Sequence, residues 1–423
     1  MNALIKSAKI IDSNSPFNGK TVDILIEKGI IQQIGKSIKN DKSYKEITYK
    51  NLHVSAGWID MRVNFCDPGH EYKEDLTTGL KAAALGGFTE VVTMPDTNPV
   101  TDSKAGIEYL INKAKGNLVT LYPTGSVSHQ CEGKEIAEMY DMHSKGAVAF
   151  TDNKKSITNP SLLNRALLYN QSFNGLVMNY PNDKLLYQNG QMNEGVVSTQ
   201  LGLKGIPALA EELMVSRDIY LAQYCNARLH LTNISTKKSV ELIAAAKKKG
   251  ISITADTNSH NLLLNETTLT DFDTNYKVIP PLRTKEDINA LIKGLKDGTL
   301  DIICSDHTPE DIENKQCEFD HAAFGIVNLQ TSFAASLTAL NNKIELEELI
   351  KKITVNPRAL LQIKQAEIKE GSSANITLFN PTGKTTLTKE AIVSKSKNSP
   401  FIGEELTGEV YGVINNNQTL IAK

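Results

Sequence analysis

The feature that most constrains the fold is an alternation. Between residues 59 and 305, short apolar runs are separated by stretches whose apolar residues recur at helical spacing. Strands are expected at Ile59 to Phe65, Glu90 to Met94, Val119 to Pro123, Ala147 to Thr151, Leu176 to Tyr180, Arg228 to Ile234, Ser252 to Thr257 and Asp301 to Ser305. Helices are expected between them, among them Leu76 to Leu85, Ser103 to Lys115, Pro160 to Tyr169, Leu209 to Gln223, Thr236 to Lys249 and Lys285 to Leu295. Eight strands with helices between them predict an α/β chain of the (β/α)8 TIM-type barrel class. In that architecture functional groups come from strand C-terminal ends and the loops beyond.

The two ends of the chain read differently. Residues 1–54 hold short alternating segments, Ala3 to Ile11, Val22 to Lys28, Ile30 to Ile34 and Ile47 to Tyr49, punctuated by Gly29 and Gly35. Similar segments return at Ala374 to Phe379 and Val410 to Ile414. The chain has 423 residues, more than one core usually fills, so a second, smaller domain is expected. The expected division is residues 55–364 for the barrel, with 1–54 and 365–423 forming one small β-domain together.

Charge and cysteine usage narrow the classes of partner. A formal net charge of -2 supplies neither basic patch nor basic tail, which argues against nucleic acid and against an anionic membrane surface. The run Lys247-Lys248-Lys249-Gly250 reads as a helix C-terminus with its capping glycine. Cys66, Cys131, Cys225, Cys304 and Cys317 are odd in number and far apart, as expected of reduced thiols in a cytoplasmic protein. Lysines interrupt the N-terminus before a signal-like apolar core develops, and no run approaches a membrane span. A soluble, cytoplasmic protein is the expectation.

The segment Gly57-Trp58-Ile59-Asp60-Met61-Arg62-Val63-Asn64-Phe65-Cys66-Asp67-Pro68-Gly69 carries the chemistry. Apolar Ile59, Met61, Val63 and Phe65 alternate with Asp60, Arg62, Asn64 and Cys66, so the polar set is expected on one face, lining a site. This segment resembles the opening barrel strand of dihydroorotases and related cyclic amidohydrolases, whose pattern is Gly-Phe-Ile-Asp-x-His-x-His-x-Arg-x-Pro-Gly. The resemblance implies a composite β-sandwich from the two chain ends. It also implies that the two metal-binding His of the pattern fall on Arg62 and Asn64, and its carboxylate-binding Arg on Cys66.

The same resemblance runs through the later strand ends. Met94-Pro95-Asp96-Thr97-Asn98-Pro99 is similar to Met-Pro-Asn-Thr-x-Pro, with Asp96 where a substrate-holding amide would sit. Phe150-Thr151-Asp152-Asn153 is similar to the family's Asp-Asp segment, making Asp152 the remnant near the metals. Asn179 and Asn233 stand where two further ligand His would be. Cys304-Ser305-Asp306-His307-Thr308-Pro309-Glu310 resembles Thr-Asp-His-Ala-Pro-His, so the catalytic Asp corresponds to Asp306 and a substrate-contacting His to Glu310. Ile279 takes the place of a substrate-binding Asn before Pro280-Pro281-Leu282-Arg283.

These departures set the functional expectation. The resemblance implies hydrolysis of a cyclic amide by metal-bound water, whose pKa the metal lowers from ~15.7 to ~7, roughly 12 kcal/mol of hydroxide availability. One general base is worth only ~10²–10⁴-fold, so Asp306 alone is no substitute. Asparagine is a weak ligand for softer metals. The expectation is therefore no cofactor, with the Arg62 guanidinium pairing with Asp306, Asp152 or both. His230 is expected to face the outer helices, His307 to be a satisfied internal group, Cys66 and Cys304 to be fillers, and Lys154-Lys155 to be a solvated loop. The resulting reading is a catalytically inactive dihydroorotase-like protein of pyrimidine biosynthesis, a homo-oligomer serving as structural or regulatory partner, for example of aspartate carbamoyltransferase. The alternative is an active dihydroorotase or other cyclic-amide hydrolase, with zinc as its metal.

Overall fold

The computed structural model describes residues 1–422. The chain opens with β1 (Ala3–Ile10), β2 (Thr21–Glu27), β3 (Ile30–Gly35), β4 (Lys45–Ile47) and β5 (His53–Ala56). Isoleucine-rich alternation gives these strands an inner face, and Ile5, Ile24, Ile26 and Ile31 are fully enclosed. Gly29 turns β2 into β3 at a φ of +76°, and a Cβ there would press on Asn417.

The ring comes next. Strands β6 (Trp58–Val63), β7 (Phe88–Thr93) and β8 (Thr120–Pro123) pair in parallel. Strand β9 (Val177–Asn179) is followed by a separate short pair, β10 (Met192–Asn193) and β11 (Gly205–Ile206). Strands β12 (Leu229–Leu231), β13 (Ile253–Asn258) and β14 (Ile302–Cys304) then join β9 in a second parallel set. Residues 147–151 connect the two sets: the Val148 and Phe150 amides donate to Pro123 and Leu176, and the Met178 amide donates to Phe150. A bridge between Val63 and His307 joins the far edges. The pairing therefore closes on itself into a ring of parallel strands.

Helices α1 (Leu76–Leu85), α2 (Lys104–Ala114), α3 (Met139–Ser144), α4 (Pro160–Gln171), α5 (Val196–Leu201), α6 (Leu209–Cys225), α7 (Lys237–Lys248) and α8 (Lys285–Asp297) fall between ring strands. Their starts follow from local chemistry: the side chains of Asp75, Asn159, Thr236 and Thr284 accept backbone N–H groups of the first turn. Thr236 caps α7 rather than beginning it. After β14 come α9 (Ile312–Lys315), α10 (Ser332–Leu340), α11 (Leu346–Lys352) and α12 (Val355–Leu361).

Strands β15 (Ile376–Thr386), β16 (Glu405–Asn415) and β17 (Gln418–Ile421) return to the first sheet, whose order is β17-β16-β15-β5-β1-β2-β3 with β4 on β1. Ile376 lies opposite Ala56, so both chain ends share one sheet. β15 and β16 run further than the expected Ala374 to Phe379 and Val410 to Ile414. The outer half of β15 alternates between exposed and half-buried polar residues and carries no apolar signal. Its ladder to β16, interrupted between Asn380 and Lys384, holds it instead. No described helix is long and apolar enough to cross a membrane.

One expectation about β6 fails. Its apolar residues do not share a face: Ile59 and Met61 pack with Val92, Met94, Met178 and Cys304, whereas Val63 and Phe65 pack with the helices' cluster. The register against β7 shifts between Asp60 and Val63, and such a bulge breaks the period of two.

The ring is tied to the terminal sheet by a buried ion pair. Arg358 of α12 donates from Nε to Glu90 at 3.1 Å, from Nη2 to the Gly57 carbonyl at 2.7 Å and from Nη1 to the Thr354 carbonyl at 3.1 Å. Glu90 also accepts from Asn375, the residue before β15. Removing one partner strands a buried charge, which typically costs 3–5 kcal/mol. Arg358→Met should therefore destabilise the chain by roughly 3–5 kcal/mol in urea unfolding; a loss under about 1 kcal/mol would show that the pair is not what joins the sheets.

Candidate active-site pocket

The C-terminal ends of the ring strands converge on Arg62, which is 1 % exposed. Its Nε donates to Asp306 Oδ1 at 3.2 Å and its Nη2 to Asn153 Oδ1 at 2.5 Å, while Nη1 has no partner. Lys154 Nζ takes the other Asp306 oxygen at 2.8 Å. Asn153 Nδ2 continues the chain to Asp96 Oδ2 at 2.7 Å. Strand β6 and three loops thus meet through one string of polar contacts, from Lys154 through Asp306, Arg62 and Asn153 to Asp96.

Sequence reasoning missed Asn153 and assigned Lys154 to a solvated loop. The signal available was their adjacency to Asp152, since residues following a ring strand's end sit where a pocket forms. Asp152 itself takes no part in the Arg62 cluster. Its Oδ1 accepts the Val127 and Ser128 amides at 2.8 and 3.0 Å, and its Oδ2 accepts the Ser128 hydroxyl. The guanidinium pairs with Asp306 and not with Asp152.

The remaining positions are also engaged with neighbours. Asn64 Oδ1 accepts the Cys66 amide at 3.1 Å. Asn179 donates to Asp218 at 2.6 Å and accepts the Ile157 amide at 3.3 Å. Asn233 donates to Asn258 at 2.9 Å, and its carbonyl oxygen has no partner. Glu310 accepts from Lys73 at 2.7 Å. Ile279 packs with Tyr180 and Ile206. Cys66 is buried, and burial pushes its thiol well above the ordinary range, leaving it unreactive. His230 bonds Thr254 and Asp256 on the adjacent strand at 2.8 and 3.0 Å, in place of the expected outward orientation. His307 accepts the Asn328 amide and lies 3.5 Å from Glu74.

Burial and charge set the proton affinities. Burial would raise the Asp306 carboxyl, but Lys154 and Arg62 hold it below the usual carboxylate range. Burial lowers the Lys154 ammonium despite Asp306, and pushes His260 down to about 4. Asp60 goes the other way: enclosure raises it to about 7, against the amides of Arg62 and Ser305 that it accepts. The arrangement can hold charge and polar atoms in place. Both Asp306 oxygens are taken by cations, whereas Asp96 Oδ1 is buried without a partner.

Comparison with known proteins places the chain. Residues 52–239 match a family model described as dihydro-orotase-like. The chain is 42% identical over 410 residues to a dihydroorotase of Geobacter metallireducens, with 96% of both chains covered. It is 42% identical over 422 residues to a dihydroorotase of Acetivibrio thermocellus, covering 99% of this chain and 98% of that one. This chain belongs to the dihydroorotase family. Its fold is also that of an L-hydantoinase (dihydropyrimidinase) from Arthrobacter aurescens, at a TM-score of 0.85 and 20% identity over 100% of this chain and 96% of that one.

The family corrects the expectation of no cofactor. Relatives named dihydroorotase match along nearly the whole chain, and zinc is the metal of that family, so zinc is the group that membership implies. The side chains at the corresponding positions do not fit such an ion. Among the described residues no group of three or more His, Cys, Asp or Glu is placed to hold a metal. Asp306 has both oxygens on cations, and Asp152 has both on Val127 and Ser128.

Two outcomes follow from this geometry. Asp60 has a folded-state pKa above its unfolded value of 3.8, so its contribution to stability is complete below about pH 4 and is lost as pH rises through about 7. Asp60→Asn should flatten the stability profile between about pH 4 and 7 by up to about 4 kcal/mol in denaturant titrations; an unchanged profile would refute the assignment. Arg62→Met should destabilise the chain, and Arg62→Met combined with Asp306→Leu should cost less than the sum of the two single substitutions, with Lys154 left to lose its partner in the double variant, read as a double-mutant cycle.

Proposed function

We propose that this chain serves pyrimidine biosynthesis as a dihydroorotase-family protein that keeps the amidohydrolase shell without the hydrolysis. The shell is a (β/α)8 barrel over residues 55–364 with a composite β-sandwich from residues 1–54 and 365–423. The observation that carries the reading is the Arg62 guanidinium lying on Asp306, with Lys154 on the second oxygen. Opening or closing a ring amide needs a base whose pKa lies near the working pH and whose lone pair reaches the attacking oxygen. Asp306 is held low by two cations, His260 is neutral and weakly basic, and Asp60 is capped by backbone amides.

The pocket's substrate positions support the same reading. Asp96 and Glu310 present carboxylates where the family's substrates bring carboxylates of their own, and Cys66 offers no cation. A protein of this kind acts through its surface, as a structural or regulatory subunit. Aspartate carbamoyltransferase is the partner suggested by family analogy.

A second reading is an active enzyme interconverting carbamoyl-aspartate and dihydroorotate. Identity of 42% over 96% and 99% of the chain with relatives named dihydroorotase favours it, and does so more directly than any comparison favours inactivity. Turnover decides between them. Purified chain, assayed in both directions with and without added zinc, should show no rate above the uncatalysed reaction. A zinc-dependent kcat of order 1–10 s⁻¹ would establish the second reading. Co-purification with aspartate carbamoyltransferase from the same cell would support the subunit role, and its absence under gentle lysis would count against it.

A further inference from the structure

Buried polar atoms without a partner gather at the mouth of the ring. Among the described residues they include Thr93 Oγ1 on β7, Ser126 Oγ beyond β8 and Asn233 Oδ1 beyond β12, and above all Arg62 Nη1 and Asp96 Oδ1. An unmade hydrogen bond on a buried group is costly, and more so on a charged one, so such atoms mark where a partner belongs. Arg62, at 1% exposure, has no recourse to solvent.

Two of these atoms are a matched pair, and Asn153 shows what matches them. Its Oδ1 accepts from Arg62 Nη2 at 2.5 Å and its Nδ2 donates to Asp96 Oδ2 at 2.7 Å. One carboxamide thus spans a guanidinium and a carboxylate, using one terminal nitrogen of the first and one oxygen of the second. The other terminal nitrogen and the other oxygen are the two that stand free. A planar group with a carbonyl acceptor and an N–H donor would satisfy them as Asn153 satisfies their twins. Both bonds would be charge-assisted.

Charge selects among the groups that could do this. Lys154, Asp306, Arg62 and Asp96 make a string of two cations and two carboxylates, already in balance. An uncharged amide or ureide leaves the balance as it is. A carboxylate would take Arg62 Nη1 but has no hydrogen to give Asp96 Oδ1, and it would meet that charge at close range in a place shut off from water. An ammonium would do the reverse, satisfying Asp96 and repelling Arg62.

We propose that the pocket takes the amide edge of a small uncharged ligand, a primary carboxamide or a ureide, between Arg62 and Asp96, and that Asp96 turns carboxylate-bearing ligands away. The proposal rests on the reading of a pocket that binds without hydrolysing. Both free atoms are closed to solvent while Lys154 keeps 18% of its side chain exposed, so the ligand enters as the loop carrying Asn153 and Lys154 lifts. In calorimetric titration the full chain should bind dihydrouracil one to one with a Kd below about 1 mM. It should bind dihydroorotate, the same ring with a carboxylate, at least about tenfold more weakly. Asp96→Asn keeps an oxygen for Asn153 and removes the charge, and should erase that preference by tightening dihydroorotate; a variant that had merely lost structure would weaken both ligands alike. The bound dihydrouracil should be recovered with its ring closed. Dihydrouracil bound but recovered as the ring-opened acid would end the reading of an inactive pocket and leave the amide site standing. No saturable binding of dihydrouracil, equal or tighter binding of dihydroorotate, or a preference unchanged in Asp96→Asn would overturn the amide site and leave the inactive reading as it was.

Discussion

The pocket depends on one ion pair closed off from water. A guanidinium and a carboxylate taken into the interior each lose hydration worth several kcal/mol, and their attraction repays this only with good geometry and further hydrogen bonds. Arg62 and Asp306 have both. Asp306 receives Lys154 on its second oxygen, and the Arg62 fork reaches Asn153, which reaches Asp96. Lysine at position 62 would lack the planar fork that addresses two acceptors at once. Cys66, Asn233 and Asp306 adopt φ of +59°, +57° and +54°, a left-handed region that asparagine and aspartate visit readily and a cysteine only when its surroundings hold it.

Around that pair, polar residues of the ring ends fasten loops. Asp152 collects two amides and a hydroxyl from the segment after β8. His230 and Asp256 join β12 to β13, and Asp256 also takes the Asn233 amide. Glu211 of α6 accepts the Ser235 and Thr236 amides. Each of these groups is buried and committed to protein partners, so the mouth of the ring is shaped by internal hydrogen bonds. A shell held in this way keeps its form without any group bridging the strands from outside.

The alternation of strands and helices was legible in the sequence because parallel ring strands are buried on both faces and read as short apolar runs between amphipathic stretches. The sheet shared by the chain ends was legible for a similar reason. The outer half of β15 was not, since Thr382, Lys384 and Thr386 carry no burial signal. The face assignments within β6 failed because a bulge shifts the register by an amount that no local pattern announces. At the site, charge balance together with the family resemblance left Arg62 with Asp306, Asp152 or both, and only the fold selects Asp306. Lys154 and Asn153 were not legible, because a loop's default is solvent and only the fold shows that this one turns inward.

One contact of the ring's mouth reaches beyond the pocket. Asn179 donates to Asp218, a fully buried carboxylate on the inner face of α6. Burial raises Asp218 against the opposing pull of Arg217 and Asn179. Arg217, the next residue, uses its guanidinium to grip Asp218 and two carbonyls of the loop before α4, and so leaves the stripe of exposed Leu209, Leu213, Tyr220 and Tyr224 on α6 uncharged. A side chain exchanged at the ring's mouth and an apolar face on the outside of the molecule are joined by two contacts. The same asparagine that cannot serve as a strong metal ligand thus steadies the carboxylate that keeps the α6 surface free of its cation.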